Sequence, residues 1–166
     1  MKTRWAWGVA LAAVVGASAA AAESAPSGVD GTWRLVSTRQ VMANGTVRPA
    51  PDVGPRPAGY MMYDAAAGRV CTVFNDTTRP PWASAQPSEV ELRTAWERTA
   101  IYCGRFHVDE ARKVIIFDYE IGLSPSLAGT SRERRFERNG DNLTIYPMPL
   151  PTGVTAATVH LERVRR

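Results

Sequence analysis

The sequence predicts an all-β fold, an antiparallel up-and-down barrel of about eight or nine short strands with one short helix. Three observations lead there. Beyond residue 30, short segments alternate apolar and polar residues and are separated by turn dipeptides such as Asn44-Gly45 and Asn139-Gly140. Only one stretch in that region carries a helical period. The two ends of the region also complement each other. Gly31-Thr32-Trp33-Arg34-Leu35-Val36-Ser37 puts Trp33 and Leu35 on one strand face, and the closing strand puts Val159, Leu161 and Arg163 on one face. The Arg163 guanidinium can then stack on the Trp33 indole, joining first strand to last and closing the sheet.

The chain has 166 residues and a net charge of +4, a length that suits one domain. Its start reads as an export signal: Lys2 and Arg4, an uncharged Ala/Val/Gly-rich run from Trp5 to Ala22, and small residues before Glu23. The expectation is a signal peptide over 1–22 cut after Ala22, a flexible leader over 23–30, and a barrel domain over 31–166 in a periplasmic or secreted protein. The competing reading is an uncleaved anchor, because the run approaches the ~18 residues that begin to span a bilayer. Its weakly hydrophobic, alanine-rich end favours cleavage, and with it no stable membrane insertion. Removing the two basic residues leaves +2, too little to argue for a nucleic-acid partner.

In chain order, the Trp33 strand is followed by Asn44-Gly45 and a short strand, Thr46-Val47-Arg48. The proline-rich stretch Pro49–Pro57 forbids regular pairing and forms a rim loop. Gly59-Tyr60-Met61-Met62-Tyr63 and Arg69-Val70-Cys71-Thr72-Val73-Phe74 make a hairpin around Asp64 to Gly68. An irregular stretch with Arg79-Pro80-Pro81-Trp82-Ala83-Ser84 precedes the helix. There, Ser88 and Glu91 form a capping box, and Leu92, Ala95, Trp96, Thr99 and Ala100 make an apolar stripe that would pack on the barrel wall or plug its open end. Tyr102 to Val108 alternates cleanly, with Tyr102, Gly104, Phe106 and Val108 on one face. Lys113 to Ile121, Arg132 to Glu137, Asn142 to Pro147 and Thr155 to Val164 supply the remaining strands, the last after a second proline-rich rim loop.

Taken together, Gly31-Thr32-Trp33-Arg34-Leu35-Val36-Ser37, Gly59-Tyr60-Met61-Met62-Tyr63, Gly68-Arg69, Arg79-Pro80-Pro81-Trp82-Ala83-Ser84, Tyr102-Cys103-Gly104 with Val108-Asp109, Gly129-Thr130 and Leu161-Glu162-Arg163-Val164 resemble the bacterial lipocalin-like domain family. The resemblance covers nearly all of residues 31–164. It implies a barrel with an internal cavity and no particular activity, since fold travels further than function. Similar domains often carry a histidine ahead of a glutamate in the strand Val114–Glu120; here Phe117 and Asp118 stand in those places, with Glu120 kept.

The candidate chemistry is limited. Asp118 and Glu120 share a strand face, and two carboxylates that close can raise one pKa and move a proton. Ile115, Phe117, Tyr119 and Ile121 form the better apolar set on the opposite face, which would turn both acids to solvent; the family-like place of Glu120 argues the other way, and both readings stand. Arg134 shares a face with Phe136. If that face is inward, the arginine needs an anion, either Glu120 or a ligand carboxylate; otherwise it is a surface arginine. Tyr60, Met62, Tyr102 and Phe106 are the expected apolar lining, with Glu120 and Arg134 as the polar contacts, while Gly31, Trp33 and Arg163 are structural. Cys71 and Cys103 either pair, closing a loop of about 30 residues worth on the order of 3 kcal/mol, or remain buried thiols. Only His107 and His160 could serve a metal, at no ligand-like spacing, and no phosphate loop or nucleophile elbow is present, so neither metal nor cofactor is expected.

Three functions follow. The first is an exported barrel that binds a small, mostly apolar molecule, with or without a carboxylate. The second is an enzyme of the cyclase or isomerase type using Glu120 and Asp118 as acid–base groups and Arg134 to steady an anion. The third is a filled barrel that acts through its surface. No catalytic motif is specific enough to favour the second.

Overall fold

The computed structural model describes residues 28–165. The expected signal peptide over 1–22 and the leader as far as residue 27 lie outside the described residues. Nine strands run in chain order: β1 (Gly31–Met42), β2 (Val47–Arg48), β3 (Pro57–Asp64), β4 (Arg69–Asp76), β5 (Thr99–Asp109), β6 (Val114–Gly122), β7 (Ser131–Asn139), β8 (Asn142–Tyr146) and β9 (Val154–Arg163). One helix, α1 (Glu89–Glu97), sits between β4 and β5, and single 3₁₀ turns occupy Pro51–Val53 and Pro125–Leu127. The sheet order is β2-β1-β3-β4-β5-β6-β7-β8-β9, and β9 returns to pair with β1. Eight strands therefore form a closed antiparallel barrel, with β2 outside it on the far end of β1. Among the described residues, no helix is long and apolar enough to cross a membrane.

The closure is made by the residues that the sequence pairs. Trp33 lies opposite Arg163 in the β1–β9 ladder, and the Arg163 guanidinium sits 4.2 Å from the indole centre. Its Nη1 donates to the carbonyl of Asp30 at 2.6 Å, and the indole Nε1 donates to the carbonyl of Val29 at 2.7 Å. Gly31 is required here: its φ is +107°, and a Cβ would stand 2.8 Å from Arg163 Nη1. The packed domain thus begins earlier than expected. Val29 is fully buried, and the Asp30 carboxylate accepts from the Ala65 amide at 2.7 Å, so Gly28–Asp30 belong to the barrel's floor rather than to a flexible leader.

The two ends of the barrel differ. At the floor, the β3–β4, β5–β6 and β7–β8 connections are tight turns, whereas the β1–β3, β4–β5, β6–β7 and β8–β9 connections at the opposite end are long, and they carry α1 and both 3₁₀ turns. The lumen between is packed. Trp33, Met61, Ile115, Phe117, Leu143, Ile145 and Leu161 are almost wholly buried, and Tyr63, Phe106, Tyr119 and Phe136 join them. Open volume is therefore left at the mouth, among the long connections.

The helix keeps its predicted cap and departs from its predicted packing. Ser88 Oγ accepts from the Glu91 amide while the Glu91 carboxylate accepts from the Ser88 amide, the reciprocal capping box. No residue of α1 is buried, however, and Thr99 and Ala100, the end of the expected stripe, already belong to β5. Instead, the Arg98 carbonyl accepts from the Asp76 amide, and this pairing ends the helix beside the barrel wall.

Candidate functional site

Four strands converge under the mouth. Along β6 the alternation turns Ile115, Phe117 and Tyr119 inward; on β5 it turns in Tyr102 and Phe106, on β3 Met61 and Tyr63, and on β7 Arg134 and Phe136. The result is a nest of aromatic rings with one guanidinium in it. Tyr102 and Tyr119 meet edge to face at 5.1 Å, Phe117 and Tyr119 stack at 6.1 Å, and Tyr63 meets Phe117 at 6.2 Å. The Arg134 guanidinium carbon lies 5.2 Å from the Phe117 ring centre and 5.7 Å from that of Tyr102.

Arg134 is half-buried, and its side chain finds few partners within the protein. Its Nη2 donates to the Tyr119 hydroxyl at 2.7 Å, which is the one hydrogen bond it makes among the described residues. Nε is buried with no partner, and so is the Tyr63 hydroxyl nearby. No carboxylate of the described residues forms an ion pair with this guanidinium, although most of the protein's other ion pairs lie on the outside. Burial works against the charge on Arg134, but a guanidinium is too basic to give up its proton, and the neutral Tyr119 hydroxyl accepts from it, so it stays charged. Burial raises the Tyr119 hydroxyl above its ordinary range against the opposing Arg134 charge, and it pushes that of Tyr63 well above that range. Both tyrosines are therefore neutral hydroxyls at physiological pH.

The remaining surface of Arg134 faces a cavity of about 320 Å³ at the mouth. Its walls are Thr99, Ala100, Ile101 and Tyr102 from β5, Leu123, Ser124 and Leu127 from the β6–β7 connection, Trp96 and Glu97 from α1, and Asp52 from the first 3₁₀ turn. Asp52 keeps part of its surface in solvent, yet crowding by the mouth loops raises its carboxyl, opposed by its backbone hydrogen bond and by the Arg134 charge. The turn that carries it is fixed by Asp76 at the end of β4. That carboxylate is buried, accepts from Thr78 N and Oγ1 at 2.9 and 2.7 Å, and pairs with Arg98 at 3.0 Å. Gly54, at φ +67°, packs so closely on Asp76 that a Cβ would overlap its carboxylate.

A larger, open groove of about 670 Å³ lies outside the barrel between Arg79–Trp82 and α1. Its charged groups are already occupied within the protein. Arg79 bonds the carbonyls of Asp76 and Ala95 and the Thr99 hydroxyl, and Glu91 serves the cap and the Ala83 amide. The mouth cavity, with an unsatisfied guanidinium, is the stronger candidate.

Several expected site residues lie elsewhere. Tyr60 and Met62 point outward, 48% and 42% exposed, and Met61 and Tyr63 take the lining places expected for them. The register fixes this phase, because β3 pairs with β1 so that Met61 faces Trp33 and Tyr63 faces Gly31. Asp118 and Glu120 also lie on the outer face. Glu120 bonds Arg69 and Arg105, so it is neither Arg134's partner nor open to the cavity. Tyr102 and Phe106 do point inward, Tyr102 at the cavity and Phe106 deeper against Tyr63. The paired cysteines are directly opposite one another in the β4–β5 ladder and form a disulfide.

The sequence expectations omitted Tyr119, Tyr63, Asp52 and Trp96 from the site. Tyr119 shares the inward phase of Ile115 and Phe117, and that alternation was the available signal. Asp52 had only its place in the proline-rich rim. Ile121, expected inward with Phe117 and Tyr119, is 65% exposed because the β5–β6 register skips Glu120, leaving a bulge that reverses the phase beyond it. Gly104 makes room for that bulge, since a Cβ there would overlap the Asp118 carbonyl.

A closed eight-stranded barrel with a plugged floor, an indole–guanidinium closure and a cavity at the open end defines a class of small, closed β-barrel domains. The family model for the lipocalin-like domain matches residues 30–162, and the chain belongs to that family. Among curated proteins, none matches the chain.

Proposed function

We propose that this protein binds a small, mostly apolar molecule bearing an acid group, held in the mouth cavity with its acid on Arg134. One observation carries the reading: a half-buried guanidinium set among Tyr63, Tyr102, Phe117 and Tyr119, with no ion-pair partner among the described residues, facing a cavity that has both apolar walls and the carboxylates of Asp52 and Glu97 at its edge. Its Nε is buried without a partner and its other donors open on the cavity, where a ligand carboxylate would meet them. Apolar walls of Ile101, Leu123, Leu127 and Trp96 would supply the rest of the affinity at about 25 cal/mol per Å² of apolar surface removed from water.

The geometry gives less support to acid–base catalysis by Glu120 and Asp118. Both lie on the far side of the barrel wall from the cavity, and Glu120 is engaged by two arginines. The packed lumen favours the filled-barrel reading for the lower part of the molecule and leaves the mouth for binding. The disulfide points to a compartment outside the cytoplasm, and with the basic-then-apolar start it supports export with cleavage after Ala22.

Native mass spectrometry of protein purified from its own source, followed by solvent extraction, tests the reading. A co-purifying organic acid that is retained by the native protein and lost from Arg134→Gln is the expected outcome. A bare mass for both, unchanged after organic acids are offered, would overturn it.

A further inference from the structure

We infer that the mouth cavity selects a compact aromatic carboxylate over long-chain fatty acids. The inference rests on the acid-binding reading above and narrows its ligand class by the cavity's depth and walls.

The size follows from the volume. A cavity of about 320 Å³ is at the small end of the roughly 300–1,000 Å³ that ligand pockets span, room for a single substituted ring with a short acid arm. A longer chain gains nothing here. With its acid on Arg134 its tail would leave through the mouth into water, and the lumen offers no second route, because Phe117, Tyr119 and Tyr63 are nearly fully buried and in ring-to-ring contact. Phe106, Met61, Ile115 and Trp33 fill the rest of the barrel. Opening a channel would mean turning several packed aromatic side chains off their contacts at once, at a cost set by close packing.

The shape follows from the walls. Tyr102 presents its ring on one side of the cavity, and Trp96, half-exposed at the end of α1, presents its indole at the rim. Leu127 and Leu123 close another side. A flat ring placed between them gains aromatic contact that a flexible chain of equal volume does not, and it loses less rotamer freedom on binding. With its acid arm on Arg134, the ring would lie against the wall that Trp96 and Tyr102 form. Asp52 and Glu97, both in the lining, would disfavour a second acid group on the outer end of the ligand, so a monocarboxylate is selected over a dicarboxylate.

The test is calorimetric titration of the disulfide-intact protein with trans-cinnamate, cinnamamide, octanoate and hexadecanoate, the last below its micelle-forming concentration. Cinnamate is expected to bind tenfold or more tighter than each of the others, and Arg134→Met to lower its affinity by about 10- to 100-fold, the span of one charged hydrogen bond. Octanoate or hexadecanoate binding as tightly as cinnamate, with the affinity still dependent on Arg134, would overturn the size and shape selection and leave the acid-binding reading standing. Cinnamamide equalling cinnamate, or no binding by any of the four, would remove the acid-binding reading and this inference with it.

Discussion

Arg134 donates a hydrogen bond to the Tyr119 hydroxyl at 2.7 Å inside the barrel, while Glu120, the next residue along the chain, lies outside with Arg69 and Arg105. The wall of a single strand separates a cation without an acid from an acid with two cations. Had Glu120 faced inward, it would have neutralised Arg134 and left the mouth without a free charge. Alternation along β6 turns Tyr119 in and Glu120 out, and the bulge at Glu120 then turns Ile121 out as well.

Replacing Arg134 by methionine should therefore leave the ligand-free protein as stable as before, or stabilise it by about 1 kcal/mol. A half-buried charge without an ion-pair partner is removed, and an apolar side chain of similar length fills its place. The Tyr119 hydroxyl loses one bond but can turn toward the cavity. Urea denaturation checks this, and a loss of more than about 2 kcal/mol would mean that the guanidinium is a structural keystone rather than a binding group kept at the expense of stability.

The opposite pattern is expected at Glu120. Its ion pairs with Arg69 and Arg105 are exposed, and exposed pairs contribute about 1 kcal/mol or less. Glu120→Gln should change stability by no more than that and leave ligand affinity unaltered. A large fall in binding or turnover in this variant, measured beside the wild type, would reinstate the outer carboxylates as functional groups.

These contrasts also mark what the sequence could reveal. The strand containing Trp33, its partner Arg163, the hairpins and the Ser88–Glu91 cap are written in short-range patterns, namely alternation, turn dipeptides and a four-residue cap, so the barrel and most of its elements were legible. The phase of β3 was not. Tyr60 with Met62 and Met61 with Tyr63 are equal sets of one tyrosine and one methionine, and only the pairing with β1 decides between them. Arg134's inward direction was readable from Phe136, but its lack of an ion-pair partner was not, because that depends on where the mouth segments place Asp52 and Glu97. Trp96 completed a good helical stripe, yet the helix lies at the mouth instead of on the wall, where the stripe would have been covered. Asp52 reaches the site through a turn whose place is set by Gly54 and Asp76, contacts between loops far apart in sequence.

The disulfide should add stability without shaping the site. Cys71 and Cys103 lie on the outer face of β4 and β5, away from the cavity, with a Cα–Cα distance of 4.1 Å. Cys71→Ser with Cys103→Ser should lower unfolding free energy by about 3 kcal/mol, through the denatured chain that the crosslink restricts, and leave ligand affinity within twofold. Thiol labelling of the unreduced, denatured wild type should find no free thiol. Two labelled cysteines would show that the bond does not form in the protein as isolated.

Asp76 provides the acid-sensitive part of the mouth. Burial alone would raise its carboxyl, but the bonds from Thr78 and Arg98 outweigh burial and hold it below the ordinary aspartate range. A carboxylate whose folded-state pKa is depressed stabilises the fold above its unfolded value of about 4, and that contribution is lost as the pH falls through the folded-state value. Wild-type stability should therefore decline below about pH 4, and part of that slope should be missing in Asp76→Asn, which should also be about 1 to 2 kcal/mol less stable at pH 7 through weakened bonds to Thr78 and Arg98. Because Gly54 packs on the same carboxylate and carries Asp52 on its turn, ligand affinity in Asp76→Asn should fall along with stability, whereas in the disulfide variant stability should fall alone. Denaturation and calorimetric titration of both variants across pH 3 to 7 make the comparison, and equal ligand affinity in Asp76→Asn and wild type would show that the mouth holds its shape without this anchor.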